Sequence, residues 1–360
     1  MSGHACFYVP RHVLEEALRR QSRDETADTE PVRRSLAVSE AVRRGRQDKA
    51  KAELLPSAPE PRGGGRKKPM QGGAPTVAEL VIPPAGTSSR MIYDDQNTWS
   101  YDVADVRNEG DPATAVNVNK AYDALGATLE FYQDVLGRKS IDNLGMNLDA
   151  NVNFGVGYDN AFWDGTRMVF GNGDGSMFID FTNDPDVPGH ELTHGVTQHT
   201  AGLQYTDQPG ALNEATSDIF GTCIDARING DDESTHNWLI GEDVVGPNFF
   251  GNAIRSMKYP GSAYDGDPQP VDMSGYVPGG DPHVNSGIIN RWFYLMAMDL
   301  GMESAAKIWY ATLQNLWATA QFTDAATVAT MQARILARDG VVPRQAPQTV
   351  RGTAREQKII

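Results

Sequence analysis

In the stretch Asp186-Val187-Pro188-Gly189-His190-Glu191-Leu192-Thr193-His194, two histidines stand four apart and a glutamate follows the first. On an α-helix, positions i and i+4 share a face, so His190 and His194 can turn both imidazoles toward one metal ion. Glu191 then sits beside that ion without ligating it, where a general base for a metal-bound water belongs. A catalytic zinc takes three protein ligands and keeps one position open. A third histidine six beyond the second would complete the elongated form of the motif, but that position is Thr200. Glu214, within Asn213-Glu214-Ala215-Thr216-Ser217-Asp218, is the better third ligand. Asp218 lies one turn further on the same face and could hold the far nitrogen of a ligating histidine.

These residues need two helices joined by a loop. Asp186 and Pro188 suit the cap and first turn of one helix; Ala201–Gly210 reads as the loop and Ala211–Ile228 as the second helix. Upstream, Tyr122, Leu125, Leu129 and Tyr132 give helical spacing over Ala115–Leu136, stopped at Gly137. Short strands are predicted at Asn151–Val156, Asn160–Trp163 and Arg167–Phe170, the last two joined across the turn dipeptide Asp164-Gly165. Downstream, Asn285–Leu300, Glu303–Trp317 and Thr323–Asp339 read as helices. Strands first and helices after point to an α+β half followed by a helical half.

The front differs in composition. Residues 1–75 carry 15 Lys/Arg against 10 Asp/Glu, whereas residues 76–360 carry 17 against 37. A basic front and an acidic body can attract each other, and an acidic body argues against nucleic acid as a partner. Residues 10–22 and Pro31–Arg46 read as short helices. The Pro/Gly-rich run to Ser89 reads as a linker open to proteolytic nicking. The expected division is a pro-segment over 1–54, a linker with the maturation cut over 55–89, an α+β lobe over 90–202 and a helical lobe over 203–360. No stretch has the length and apolarity of a membrane span, so no membrane partner is expected. Two cysteines, Cys6 and Cys223, make no disulfide framework. The N-terminus lacks a basic start followed by an apolar run, so a signal peptide is not evident.

Five separated blocks now carry a resemblance: Tyr158-Asp159-Asn160-Ala161-Phe162-Trp163, His190-Glu191-Leu192-Thr193-His194, Asn213-Glu214-Ala215, Ile240-Gly241-Glu242-Asp243-Val244 and His283-Val284-Asn285-Ser286-Gly287-Ile288. The chain resembles the thermolysin family of zinc metallopeptidases over residues 91 to about 340. Its front, with Cys6 and Pro10 in a Cys-x-x-x-Pro arrangement, is similar to the short pro-segment of the protealysin-like branch. The resemblance implies a two-lobed fold, a mixed α/β N-terminal lobe with antiparallel strands and a helical C-terminal lobe, the active-site helix between them. It implies one catalytic zinc on His190, His194 and Glu214, with Asn213 and Asp218 behind them. Glu191 would take the proton of a zinc-bound water attacking the peptide carbonyl and pass it to the departing amine. Tyr205 and His283 would stabilise the oxyanion. Asn160 and Ala161 would pair with the substrate backbone, as in strand addition, and Arg255 would grip a substrate carbonyl. Phe178, Phe181, Val187, Ile240, Val244 and Ile254 match the apolar pocket lining. Together these imply cutting of proteins or peptides on the amino side of bulky apolar residues, with the pro-segment as intramolecular inhibitor. Secretion without a signal peptide is the expectation, cytoplasmic residence the alternative.

Two features depart from the pattern. The aspartate five before the catalytic histidine is replaced by Pro278, leaving Asp281 as a substitute. Of the paired calcium ligands Asp186, Asp225 and Glu242 remain, while Asn237 and Leu239 replace carboxylates, which leaves one Ca2+ site at most. His199 falls off the metal face and reads as a surface residue. His236 reads as solvated and Cys223 as a buried thiol. A Cys6 thiolate could close zinc's fourth position. Two rival readings are an inactive zinc protein that binds peptides and an aminopeptidase, which needs an acidic anchor for a free amino terminus.

Overall fold

The computed structural model describes residues 6–23, 27–54, 88–110 and 112–360, the side chains of residues 6 and 45–54 lying outside the description. In chain order come β1 (Cys6–Phe7), α1 (Arg11–Gln21), α2 (Glu30–Leu54), β2 (Arg90–Asp94), β3 (Ala104–Arg107) and α3 (Val116–Leu136). Then follow β4 (Leu148–Val152), β5 (Ala161–Trp163), β6 (Arg167–Phe170), α4 (Asp186–Gln198), α5 (Asp207–Asn229), β7 (Leu239–Ile240) and β8 (Arg255–Ser256). The chain ends with α6 (Pro282–Leu300), α7 (Met302–Leu313), α8 (Phe322–Arg338) and α9 (Ala346–Glu356). No described helix is long and apolar enough to cross a membrane.

Strands β1 to β6 form one sheet in the order β1-β5-β6-β4-β2-β3. The fold is the mixed lobe followed by a helical lobe that the sequence implies. Its strands are not all antiparallel, however: β2 pairs β4 and β4 pairs β6 in parallel. Parallel neighbours need a crossover, and α3 supplies the one between β2 and β4. It stops at Gly137, whose φ of +66° ends the helix in the left-handed region. The strand predicted at Asn151–Val156 instead spans Leu148–Val152, because Asn153 turns to φ +54° and leaves the extended region. Across Asp164-Gly165 the predicted hairpin is present, Ala161 facing Phe170 and Trp163 facing Met168.

The helical lobe stacks α5 on α6, with α7, α8 and α9 outside them. Helix α9 lies beyond the helices expected from the sequence. Its apolar face is made of Ala346, Val350 and Ala354, small residues spaced four apart and all buried, where Trp292 donates to the Val350 carbonyl at 3.3 Å. The front packs on the body. Val13, Leu14 and Ala17 of α1 are buried in the main core, and Phe7 joins Phe154, Tyr158, Phe162 and Val169 in a smaller cluster. The expected linker and maturation cut fall largely at residues 55–87, outside the described residues.

Candidate active site

Helices α4 and α5 meet at two glycines. A Cβ on Gly189 would lie 3.0 Å from the Cα of Gly221, and one on Gly221 would lie 2.9 Å from the Asp186 carbonyl oxygen. Without side chains there, the two backbones approach closely enough for one helix to face the other across a short gap. That gap holds His190 and His194 from α4 and Glu214 and Asp218 from α5, all buried. Asp186 is not the cap of α4 but its first residue, after Pro185, and Asp184 accepts its backbone N–H at 3.1 Å.

Each imidazole is oriented from behind. His190 Nδ1 lies 2.8 Å from Asp218 Oδ1, and His194 Nδ1 lies 2.9 Å from Asn213 Oδ1 and 3.1 Å from Ser217 Oγ. Asp218 is anchored in turn by Arg255, at 2.8 Å, and by Asn290 Nδ2, at 2.7 Å. The two Nε2 atoms are therefore turned toward each other, 3.1 Å apart. Two neutral rings with protonated Nδ1 atoms would oppose lone pairs there, so the pair calls for a cation between them. Glu214 stands at the same place, 3.4 Å from His190 Nε2 and 3.6 Å from His194 Nε2; its buried Oε2 makes no hydrogen bond. Two imidazole nitrogens and a carboxylate are a set that zinc accepts. Glu191 also lies within the His190–His194 cluster, but its Oε2 accepts the Trp163 N–H at 2.9 Å while Oε1 has no partner.

The electrostatics follow from burial and these partners. Burial opposes the charged form of His190, but Asp218 and Glu214 outweigh it and lift the pKa to about 9. Burial and the neighbouring His190 push His194 down to about 4. Burial raises Glu191 to about 8 against the pull of His190 and the Trp163 N–H. The opposite balance holds for Glu214, where His283 and His194 overcome burial and keep the carboxylate well below its usual range. Arg255 and His190 likewise hold Asp218 at about 2 despite its burial.

His283 and Tyr205 close the other side. Tyr205 donates to Glu214 Oε1 and lies 3.4 Å from His283 Nε2. Asp281 caps α6 and faces His283 Nδ1 at 3.0 Å, so a carboxylate does stand behind this ring although Pro278 interrupts the family pattern. Burial disfavours its charged form, yet Glu214 and Asp281 raise its pKa. A doubly protonated ring can donate from both nitrogens.

The cleft is lined by the chain's own front. Strand β1 pairs antiparallel with β5, Phe7 opposite Phe162. The Tyr8 N–H donates to the Ala161 carbonyl at 3.1 Å. Asn160 uses both ends of its amide on Val9, accepting its N–H at 2.8 Å and donating to its carbonyl at 3.1 Å. Arg255 donates to the Tyr8 carbonyl at 3.2 Å, and the Phe7 carbonyl lies 3.1 Å from His283 Nε2. Asn160, Ala161 and Arg255 thus hold a peptide backbone, and the peptide is residues 7–9.

Comparison with known proteins matches residues 78–198 to the model described as thermolysin metallopeptidase, catalytic domain, and residues 201–344 to its alpha-helical domain. The chain belongs to the thermolysin metallopeptidase family. An extracellular metalloprotease of Pectobacterium carotovorum subsp. carotovorum is 44% identical over 64% of this chain and 70% of that one. Protease PrtS of Photorhabdus sp. (strain Az29) is also 44% identical, over 63% of this chain and 65% of its own length. Among solved structures, the precursor of protealysin from Serratia proteamaculans superposes with a TM-score of 0.72 at 39% identity, covering 79% of this chain and 91% of that one.

Other predicted residues fall less centrally in this thermolysin-like site. Phe181 packs edge-on against Tyr8, ring centroids 6.4 Å apart, and stacks on Phe178 at 5.8 Å. Val187, Ile240, Val244 and Ile254 are buried in the core around them. Asp186 and Glu242 both lie close enough to Asp225 to interact with its charge, and Glu242 also accepts from Asn237 Nδ2. Asp184, absent from the predicted calcium set, is buried beside Asp186. His236 is a correction: it is buried, 3.9 Å from Asp225 and 3.8 Å from Asp231, and not solvated. His199 is exposed. Cys223 is free and buried, and the Cys6 side chain lies outside the described residues. Sequence reasoning missed Asn290, Ser217 and the Trp163 N–H, whose roles depend on tertiary approach and carry no spacing signal.

Proposed function

We propose that the chain is a zinc endopeptidase made in a self-blocked form, cutting on the amino side of bulky apolar residues. His190, His194 and Glu214 would hold the zinc, which when bound supplies electrophilic activation of water and of the peptide carbonyl. Glu191, with a free oxygen beside the histidine pair, takes the proton of the attacking water. From the same position it returns that proton to the departing amine. Tyr205 and His283 donate to the oxygen on which charge develops, and Asp281 fixes the ring of His283. Asn160, Ala161 and Arg255 align the substrate as an added strand on β5.

The observation that carries this reading is that residues 7–9 meet Ala161, Asn160, Arg255 and His283 at once, with the Tyr8 ring edge-on to His190. Residues 1–54 then act as an intramolecular inhibitor, and a cut within residues 55–89 lets them leave. Export belongs to the same proposal, supported by a relative named as an extracellular metalloprotease. For calcium the proposal is one ion at most, beside Asp184, Asp186 and Asp225.

The test incubates the zinc-loaded chain with an unfolded protein, before and after linker cleavage, beside a Glu191→Ala variant and a chelator control. Internal cuts that appear after linker cleavage and vanish in both controls are expected. Trimming from one end, or no cutting after the linker is opened, defeats the proposal.

A further inference from the structure

The pocket that receives the first residue after the cut bond does not end in hydrocarbon. Tyr8 fills it and is fully buried. Its ring stands edge-on to His190, centroids 5.3 Å apart, and to Phe181, with the Arg255 guanidinium 5.4 Å from the ring centre. At the far end the phenol donates to Asp186 Oδ1. The other oxygen of Asp186 accepts the Gly241 N–H at 2.9 Å, so the carboxylate is fixed in place with one oxygen turned to the pocket.

Gly241 shows that the space for the hydroxyl is built. Its φ is +73°, and a Cβ there would lie 2.9 Å from the Tyr8 oxygen and 2.9 Å from Ile254 Cδ1. Any side chain at 241 would fill the room that the phenolic oxygen needs. From these contacts we infer that Asp186 is a specificity-determining residue, making the pocket select tyrosine over phenylalanine or leucine on the carboxyl side of the cut. This rests on the proposed proteolytic function and narrows its expected apolar preference. A buried hydroxyl that donates to a fixed carboxylate oxygen makes a hydrogen bond that a bare ring or an alkyl side chain cannot replace. A ring without the hydroxyl leaves one buried carboxylate oxygen unpaired, a larger loss than a missing apolar contact. Burial, together with Asp186 and Asp184, holds the phenol's pKa well above its ordinary value, so it stays a donor.

The test uses the full zinc-loaded chain carrying Tyr8→Ala, which vacates the pocket. Three peptides differ only in Tyr, Phe or Leu after the cut bond, and kcat/KM is measured with excess calcium and with a calcium chelator. Tyrosine should lead phenylalanine by about tenfold or more in both conditions, and Asp186→Asn should shrink that ratio. Equal rates, or a preference that calcium abolishes, overturn the inference while leaving proteolysis intact. Cleavage of none of the three after linker opening overturns the proposed function instead.

A second measurement needs no activity: hydrogen exchange of the Tyr8 and Val9 amides in the full chain, native against Tyr8→Phe. Exchange about tenfold faster on loss of the one oxygen, with helix α6 unchanged, supports a read hydroxyl; unchanged exchange refutes it.

Discussion

Two groups of carboxylates largely shut off from water lie along helices α4 and α5, and they behave in opposite ways. Glu214 and Asp218 sit among His190, His283 and Arg255 and stay ionised, Asp218 at about 2. Asp184, Asp186 and Asp225 are also taken from water, but burial drives them upward, helped by Asp243 at Asp184, by Asp184 at Asp186, and by Asp184 and Glu242 at Asp225, so that Asp184 reaches about 6 and Asp225 about 7. Burial also pushes the pKa of His236, beside Asp225, down from its ordinary value. The first group has cations supplied by the chain and so can present negative charge to a metal and to basic ring nitrogens. The second must take up protons or an outside cation. Burial alone therefore predicts neither state; what decides is whether a guanidinium or imidazolium was folded in alongside.

The largest test of the first group is Glu191→Gln, which keeps shape and removes the proton acceptor. Peptide cleavage should fall by about 10²–10⁴-fold, while zinc content, read by metal analysis, stays at that of the native chain. Loss of zinc would mean that Glu191 itself helps to hold the metal. Next is Asp218→Asn, which strips the charge from behind His190 and leaves the buried Arg255 without its ion pair. Zinc affinity should drop by about 10–100-fold in chelator competition. Thermal stability should drop too, since breaking a buried pair costs about 3–5 kcal/mol. If neither moves, the contrast between the two groups loses its cause.

The sequence makes the first group far more legible than the second. His190, Glu191 and His194 are fixed by helical spacing, and Glu214 and Asp218 repeat that spacing on the next helix. His283, Tyr205 and Arg255 could be assigned only through family resemblance, because nothing local marks a residue that reaches the site from a separate element. Strand β1 was beyond any periodicity argument. It is two residues long and exists because the edge of β5, far along the chain, offers Phe162 and Trp163 as partners. Gly189 and Gly221 look like weak points in two helices, and only their contact reveals that they set the spacing of the site. Asp184 was passed over for a similar reason: a carboxylate ahead of a helix reads as a cap, and its burial beside Asp186 is a tertiary fact.

The smallest effect concerns the second group. Asp184 and Asp225 have folded-state pKa values raised above the unfolded carboxylate value of about 4. The stability they contribute is present in full below pH 4 and is lost as the pH rises through about 6 and 7. With a calcium chelator present, this term lowers the melting temperature between pH 5 and pH 8. Asp225→Asn removes one titrating group and should flatten that slope, by roughly 1 kcal/mol or less for a side chain only partly shut off from water. Excess calcium should flatten it in the native chain but not add to the variant, because the ion would satisfy the same charges that the amide no longer carries. A native slope of the opposite sign under chelation would mean that a cation from the chain reaches these carboxylates after all, and the two groups would then differ in degree only.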